Sequence, residues 1–512
     1  MSLSDEPSSA TPSPDGAAPA PQWSRRKLLQ RAGAAGAAVA ATTVVPTASA
    51  TTTRSREVDL RPGRPLLLRG GTVITMDPAR GVVPRADVLV IDGRIAAIGR
   101  RLRAPADAAV LDLQGKLVQP GMIDTHRHMW QTVLRGIAAD WTLGNYVDLM
   151  FGRFGPLFTP DDVYAGSLLG AIEAVDSGTT TVVDWSHNMR TPQHADAVVD
   201  ALLDSGARAR LAYGNYAEPA QDWVLRGDID RLRSERFPTA DERVTLQIAL
   251  DVFTADFPER PAWTWARDRG FEITTHAGVV GRQPADLPER LRDAGLLLPS
   301  TTYVHATTFT DESYRLIAES GGTASVAAES DLHGGQGYPP TEKLRRYGIP
   351  TSLSVDTVTW FSGDMFHAMR ATLAADRGLA HLRAHEQGGL VDINELRALD
   401  VLAHATIGGA RSMGLQDQLG SLTPGKRADI VVLDTSSPHM TPMINPVGAA
   451  VLQASTSDVD TVVVGGRVVK RNGELLGNGF ARARRLADAS RDRLRAAAGE
   501  KLWREALNPS GR

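Results

Sequence analysis

The run Val118-Gln-Pro-Gly-Met-Ile-Asp-Thr-His-Arg-His128 is largely apolar, reads as a buried strand and ends in two histidines one residue apart. In an extended strand, residues i and i+2 project to the same side. His126 and His128 can therefore present two imidazoles to one ion while Arg127 faces away. Neutral imidazole is a common ligand of divalent zinc, which makes the pair a candidate metal site. A lone His-x-His is equally a chance pair, so the rest of the chain decides between the two readings.

The chain has 512 residues, 42% of them hydrophobic. That is more than one compact core usually holds, and it predicts one large domain with a smaller companion or two to three domains. Lys and Arg number 56 against 59 Asp and Glu, a formal charge of −3, which offers no global electrostatic case for nucleic acid or a membrane surface. A small-molecule substrate is the expected partner. With no cysteine in the chain, disulfides, thiolate metal sites and a cysteine nucleophile are all excluded. Any metal must be held by histidines and carboxylates.

The first 57 residues differ in character from the rest of the chain. A Ser/Pro/Asp/Ala-rich opening leads to Ser24-Arg-Arg-Lys-Leu-Leu29, then to a weakly apolar segment from Ala32 to Val45, then to Ala48-Ser-Ala50. This order resembles a twin-arginine export signal with a small-residue cleavage site. The expectation is a signal peptide over residues 1–50 and an exported, extracytoplasmic protein. The apolar segment is too short to span a membrane, so no stable membrane anchor is expected.

Two β-rich regions flank a long alternating middle. Leu66–Thr75, Ala86–Gly99 and Val110–Gly115 are short strands broken by Gly and Asp-Gly turn signals, and Ala428–Asp434 and Val459–Val469 have the same character. Neither set alone makes a sheet domain, which predicts one composite β-domain built from residues 58–118 and 420–475. Between them lie eight apolar strand candidates, ending near His128, His187, Tyr216, Phe253, His276, Thr307, Ala328 and Asp356. Helical spacing separates them, for example over 160–177, 193–205, 311–320 and 395–407. Eight strands alternating with helices predict a (β/α)8 TIM barrel over residues 119–419. An Ala/Arg/Leu-rich tail predicts a terminal helix over 480–507.

Polar residues at the C-terminal ends of barrel strands lie on the face where barrel enzymes place their chemistry. Besides His126 and His128, these ends supply His276 after strand 5, His305 after strand 6 and Asp356 after strand 8.

With these residues in place, the chain resembles the amidohydrolase superfamily, in particular its cytosine-deaminase-like and chlorohydrolase-like branch, over about residues 60–475. The resemblance rests on Gly121-Met-Ile-Asp-Thr-His-Arg-His128 with Leu134-Arg-Gly136, the two isolated histidines, Ser354-Val-Asp356, and Gly420-Ser-Leu-Thr-Pro-Gly-Lys-Arg-Ala-Asp-Ile-Val-Val-Leu-Asp434. It implies a single divalent ion, zinc first with Fe2+ or Mn2+ also compatible, held by His126, His128, His276 and Asp356 with His305 beside it. A divalent ion lowers the pKa of a bound water towards about 7 and polarises the electrophile. Asp356 would then act as general base and His305 would bind the developing oxyanion or orient the water. Strand 4, Leu250-Asp-Val-Phe-Thr254, has no lysine, which argues against the two-metal branch. A homodimer is expected from the resemblance alone.

One departure bears on the chemistry. Deaminases of this branch carry a glutamate three residues after the strand-5 histidine, whereas this chain reads His276-Ala-Gly-Val279. Valine carries no proton, so the expectation is hydrolysis of a non-peptide carbon–nitrogen bond, in an amide, cyclic amide or amidine, with metal-activated water as nucleophile. The substrate is expected to be small and cyclic or heteroaromatic. A deaminase or dechlorinase of a nitrogen heterocycle is the alternative, with Glu329, in the run Ser325–His333 that ends strand 7, as the substitute acid. A barrel that binds metal or ligand without turnover is the other. His187, Trp130, Gln131 and His333 are candidate substrate contacts, and Trp141 and Trp360 candidate walls of an aromatic pocket.

Overall fold

The computed structural model describes residues 60–239 and 242–509, and the expected export signal lies outside them. Five strands open the described chain, β1 (Leu66–Ile74), β2 (Val82–Ile91), β3 (Arg94–Gly99), β4 (Ala109–Asp112) and β5 (Leu117–Pro120). Eight barrel strands come next: β6 (Met122–Arg127), β7 (Thr179–Ser186), β8 (Arg208–Tyr213), β9 (Val244–Ala249), β10 (Ile273–Ala277), β11 (Thr301–His305), β12 (Thr323–Val326) and β13 (Thr351–Leu353). The last four are β14 (Ile430–Leu433), β15 (Val459–Val464), β16 (Arg467–Arg471) and β17 (Glu474–Leu475).

The two chain ends share one nine-stranded sheet in the order β17-β16-β15-β14-β5-β1-β2-β3, with β4 beside β1. The seam is the antiparallel pair β5 and β14, which sets Leu117 opposite Leu433 and Val118 opposite Val432. Its hairpins follow from turn chemistry. Asp92-Gly93, Gly465-Gly466 and Asn472-Gly473 each put two residues at positive φ between paired strands, the two-residue turn that matches strand twist. Val73, Val88, Val90, Ile95, Ile430 and Val463 fill a core of this sheet's own.

Strands β6 to β13 form a parallel sheet in sequential order, and an isolated parallel bridge from Arg127 to Asp356 closes it. Parallel barrel strands are covered on both sides, and β6, β7 and β8 are accordingly buried at every position. The expected ends near Tyr216 and Phe253 lie beyond the last ladder residues, Tyr213 and Ala249. The apolar run continues there because those side chains wall a cavity. The helical stretch expected over 395–407 begins as a helix at Ala398.

Helix α1 (Pro160–Asp176) starts at a Thr159 capping box with proline in its first turn, and α2 (Pro192–Ser205) follows β7. After β12 the chain turns into a short helix, α3 (Ala328–Gly334), and the long α4 (Met365–Glu386) follows β13. The terminal helix α5 (Gly479–Leu507) bends at Gly499 and packs on α1, where Ser490 Oγ and Arg493 Nε both donate to Asp162 Oδ1, at 2.7 and 2.9 Å. Its last turn accepts the Trp141 indole N–H at Ala506 O, 2.6 Å, so Trp141 braces this helix and does not line the pocket expected of it.

Only Gly121 separates the composite sheet from the barrel. A Cβ there would lie 2.0 Å from Thr180 Oγ1 and 2.4 Å from its Cγ2, and so short a side chain on a buried strand has nowhere to go. Gly121→Ala should therefore cost about 1–3 kcal/mol through overpacking, read as a lower urea midpoint; an unchanged midpoint would contradict this account of the junction.

Candidate active site

Closure of the barrel brings the ends of β6 and β13 together. His126 Nε2 and His128 Nε2 lie 3.2 and 3.1 Å from Asp356 Oδ1. Ligand atoms of His126, His128 and His276 all fall within 4.8 Å of one another, as do those of His126, His305 and Asp356. These five side chains, all buried, come from the four strand ends read from the sequence.

The surrounding hydrogen bonds decide which nitrogens face the cluster. His128 Nδ1 lies 2.9 Å from the Trp185 carbonyl oxygen, which only accepts, so Nδ1 carries the proton and Nε2 presents a lone pair. His276 Nδ1 donates to Asp251 Oδ2 at 2.9 Å, and Asp251 Oδ1 accepts the His276 backbone N–H at 2.7 Å. Burial holds His126 and His276 below the ordinary imidazole range. At Asp356 burial acts to raise the pKa, while the Ser330 hydroxyl and the Gln336 amide that donate to Oδ2 favour the carboxylate. Neutral imidazole lone pairs thus converge on an ionised carboxylate, and His126 Nδ1 is buried without a partner. Acceptor facing acceptor at about 3 Å is unfavourable unless a cation sits among them, and neutral His with ionised Asp is the donor set of a divalent ion.

A second layer holds this set. Tyr216 OH donates to Asp251 Oδ2 at 2.5 Å. Ser330 Oγ donates to Asp356 Oδ2, and Gln336 Nε2 donates to Ser330 Oγ at 2.8 Å and to Asp356 Oδ2 at 3.3 Å. His305 Nδ1 meets Asp331 Oδ1 at 2.7 Å; burial disfavours the charged ring, and Asp331 more than offsets this. Sequence reasoning missed Asp251, Ser330, Asp331 and Gln336. Asp251 alone left a signal, a carboxylate inside the apolar run of strand 4.

The other candidates divide. His187 stacks on His128 with ring centres 4.1 Å apart and planes 6° off parallel, and it lines an adjoining cleft with Asn215 and Glu259. Trp130 does not line the catalytic cavity; its indole N–H donates to His187 Nδ1 at 3.0 Å. Gln131 lies behind the wall, exchanging hydrogen bonds of 2.6 and 2.9 Å with the Tyr146 hydroxyl. Trp360 packs on Tyr146 from outside, at 4.8 Å. Glu329 and His333 are corrections. Strand β12 stops at Val326 and the chain turns helical, so the period of α3 sends Ser330 and Asp331 inward and Glu329 and His333 elsewhere. Glu329 faces α4, 3.7 Å from His367 Nδ1, and burial, then Asp364, push its carboxyl up to about 7. His333 contacts the Ala138 carbonyl at 3.4 Å and packs near Trp360 and Phe361.

The histidine cluster floors a cleft of about 550 Å3. Leu143, Tyr146, Val147, Phe151, Tyr216 and Phe253 form much of its wall, with Phe151 and Tyr216 stacked at 4.6 Å. Val279, Gln336, Arg282 and Gln283 complete the lining. A flat apolar wall above a metal-ligating floor suits a small planar molecule offering one polar carbon centre to the ion.

Residues 117–469 match the amidohydrolase family. The chain is 31% identical over 409 residues to a 5'-deoxyadenosine deaminase of Methanothermobacter thermautotrophicus, covering 77% of this chain and 91% of that protein. It is also 31% identical over 422 residues to a 5-methylthioadenosine/S-adenosylhomocysteine deaminase of Symbiobacterium thermophilum, covering 79% and 93%. Among solved structures, an adenosine deaminase from Xanthomonas campestris with bound zinc superposes with a TM-score of 0.71 at 23% identity, over 84% of this chain and 98% of that one. The atrazine chlorohydrolase of Arthrobacter aurescens TC1 complexed with zinc gives 0.72 at 21%, over 83% and 100%. The chain belongs to the amidohydrolase family, as a metal-dependent hydrolase of carbon–nitrogen bonds other than peptide bonds on a (β/α)8 barrel.

Proposed function

We propose that the protein hydrolyses a carbon–nitrogen bond at an amidine-type or amide-type carbon of a small planar nitrogen heterocycle, using one zinc ion. The observation that carries this reading is the convergence of buried imidazole lone pairs and one carboxylate beneath an aromatic wall. His126, His128, His276 and Asp356 would hold the ion, which supplies a Lewis acid that activates water at neutral pH.

The chain's own groups divide the remaining work. Asp356 takes the proton of the attacking water and returns it to the departing nitrogen, since Val279 cannot and Glu329 faces away from the cavity. Ser330 and Gln336 fix the Asp356 carboxylate by holding Oδ2, leaving Oδ1 towards the imidazoles. His305, oriented by Asp331, donates to the oxygen on which charge develops. The aromatic wall excludes water from the ring. A second reading, in which an exocyclic amine is the group that leaves, is favoured by the two relatives named as deaminases.

Asp356→Asn should lower kcat by about 10²–10⁴-fold while the protein keeps part of its metal; full activity in that variant would remove Asp356 as the base. Ammonia released with the ring intact selects the second reading, and a ring-opened product selects the first. Elemental analysis should find one zinc per chain, and Asp251→Asn should weaken metal affinity by about 10–100-fold through loss of the His276 orientation; unchanged affinity would contradict that support. We further propose that residues 1–50 direct export. A reporter fused behind them should leave the cytoplasm, and the Arg25→Lys, Arg26→Lys double variant should retain it there; equal export by both would refute the signal.

A further inference from the structure

Of the residues that line the catalytic cleft, Arg282 is the one lysine or arginine. Partnered arginines are common in this protein; Arg290, a few residues on, is held by Asp286 at 2.7 Å, and the buried Arg208 by Asp429 at 3.2 Å. Among the described residues Arg282 has no hydrogen-bond or ion-pair partner for its guanidinium and overlies no aromatic ring. This half-buried guanidinium at the cleft wall therefore has its donors open to a bound molecule.

The loop that carries it is built to hold it in place. Gly278 and Gly281 take positive φ, at 60° and 66°. The backbone N–H groups of Arg282 and Gln283 both donate to Val279 O, at 3.0 and 3.3 Å, and Val280 N donates to Gln336 O at 3.1 Å. Beside Arg282 on the cleft wall, Gln283 Oε1 is a buried acceptor with no donor among the described residues. The neighbouring walls, Leu143, Val147, Phe151 and Phe253, carry no group that could neutralise an anion.

We infer that the substrate carries an oxyanion, a carboxylate or phosphate, and that Arg282 binds it while Gln283 Oε1 accepts from an adjacent N–H or O–H of the same molecule. The guanidinium fork matches such groups in two parallel hydrogen bonds, which makes Arg282 a specificity determinant. This rests on the reading that the cleft takes a planar heterocycle.

The test is calorimetric binding to the zinc-loaded enzyme of two matched pairs, pyrimidine-4-carboxylate against 4-(hydroxymethyl)pyrimidine, and adenosine 5'-monophosphate against adenosine. At least one charged member should bind about tenfold or more tightly than its neutral partner, and which pair responds identifies the oxyanion. Arg282→Gln should reduce that preference to within about twofold, with neutral binding, zinc content and urea midpoint unchanged, and Arg282→Lys should retain part of it. Equal binding within both pairs, a preference that survives Arg282→Gln, or no binding by either anion overturns the inference. Turnover of heterocycles without any charge preference would remove it and leave the proposed function standing. An Arg282-dependent preference with no hydrolysis of any heterocycle would do the reverse.

Discussion

The backbone of Asp356 pairs with both candidate ligand histidines of the first barrel strand. Its N–H donates to His126 O at 3.0 Å, and its carbonyl accepts the His128 N–H at 2.7 Å. Asp124 reinforces the seam from below, its Oδ1 taking the His126 and Val355 backbone N–H groups at 3.2 and 3.3 Å. The bonds that turn an open eight-stranded sheet into a barrel are therefore the bonds that set a carboxylate beside two imidazoles. Asp356 makes this closure at φ 68°, and His305 sits at φ 71°. Left-handed backbone at a non-glycine residue costs on the order of 1 kcal/mol or more, and here it occurs at two groups assigned to the chemistry.

Burial then sets the charge states. Histidines withdrawn from water stay neutral, while the carboxylate among them is favoured in its ionised form by the hydroxyl and amide that donate to its far oxygen. Three of the four rings are aimed from behind. A main-chain carbonyl serves His128, a carboxylate on the β9–β10 side serves His276, and a helical carboxylate serves His305. Below His126 and Asp356 the barrel interior also holds hydroxyls, with Thr125 Oγ1 bonded to Ser325 and Ser352 at 2.7 and 2.8 Å.

The fold was legible because its signals are local. Asp92-Gly93, Asn472-Gly473 and the buried run into His126 each act over a few residues, and the period of two in an extended strand was enough to pair His126 with His128. The convergence of His126, His128, His276, His305 and Asp356 was legible for the same reason, since strand ends in a parallel barrel share one face. The supporting layer was not. Ser330 and Asp331 come to the site only because the chain turns helical after Val326, and reading that segment as an extended strand end selected Glu329 in their place. The tryptophans misled for a different reason: Trp130, Trp141 and Trp360 are large enough to be needed by the core, and all three pack behind the wall they were expected to form.

The composite sheet carries a consequence for how the protein is made. Strand β5 must wait for β14, since Leu117 finds Leu433 across almost the whole length of the barrel. A chain emerging from the ribosome in order therefore holds the β1–β5 edge open until the last strands appear. Asp356 is synthesised before that edge can be covered. The histidines and Asp356 can thus be synthesised while the sheet is still incomplete, with β14 to β17 and then α5 still to be added.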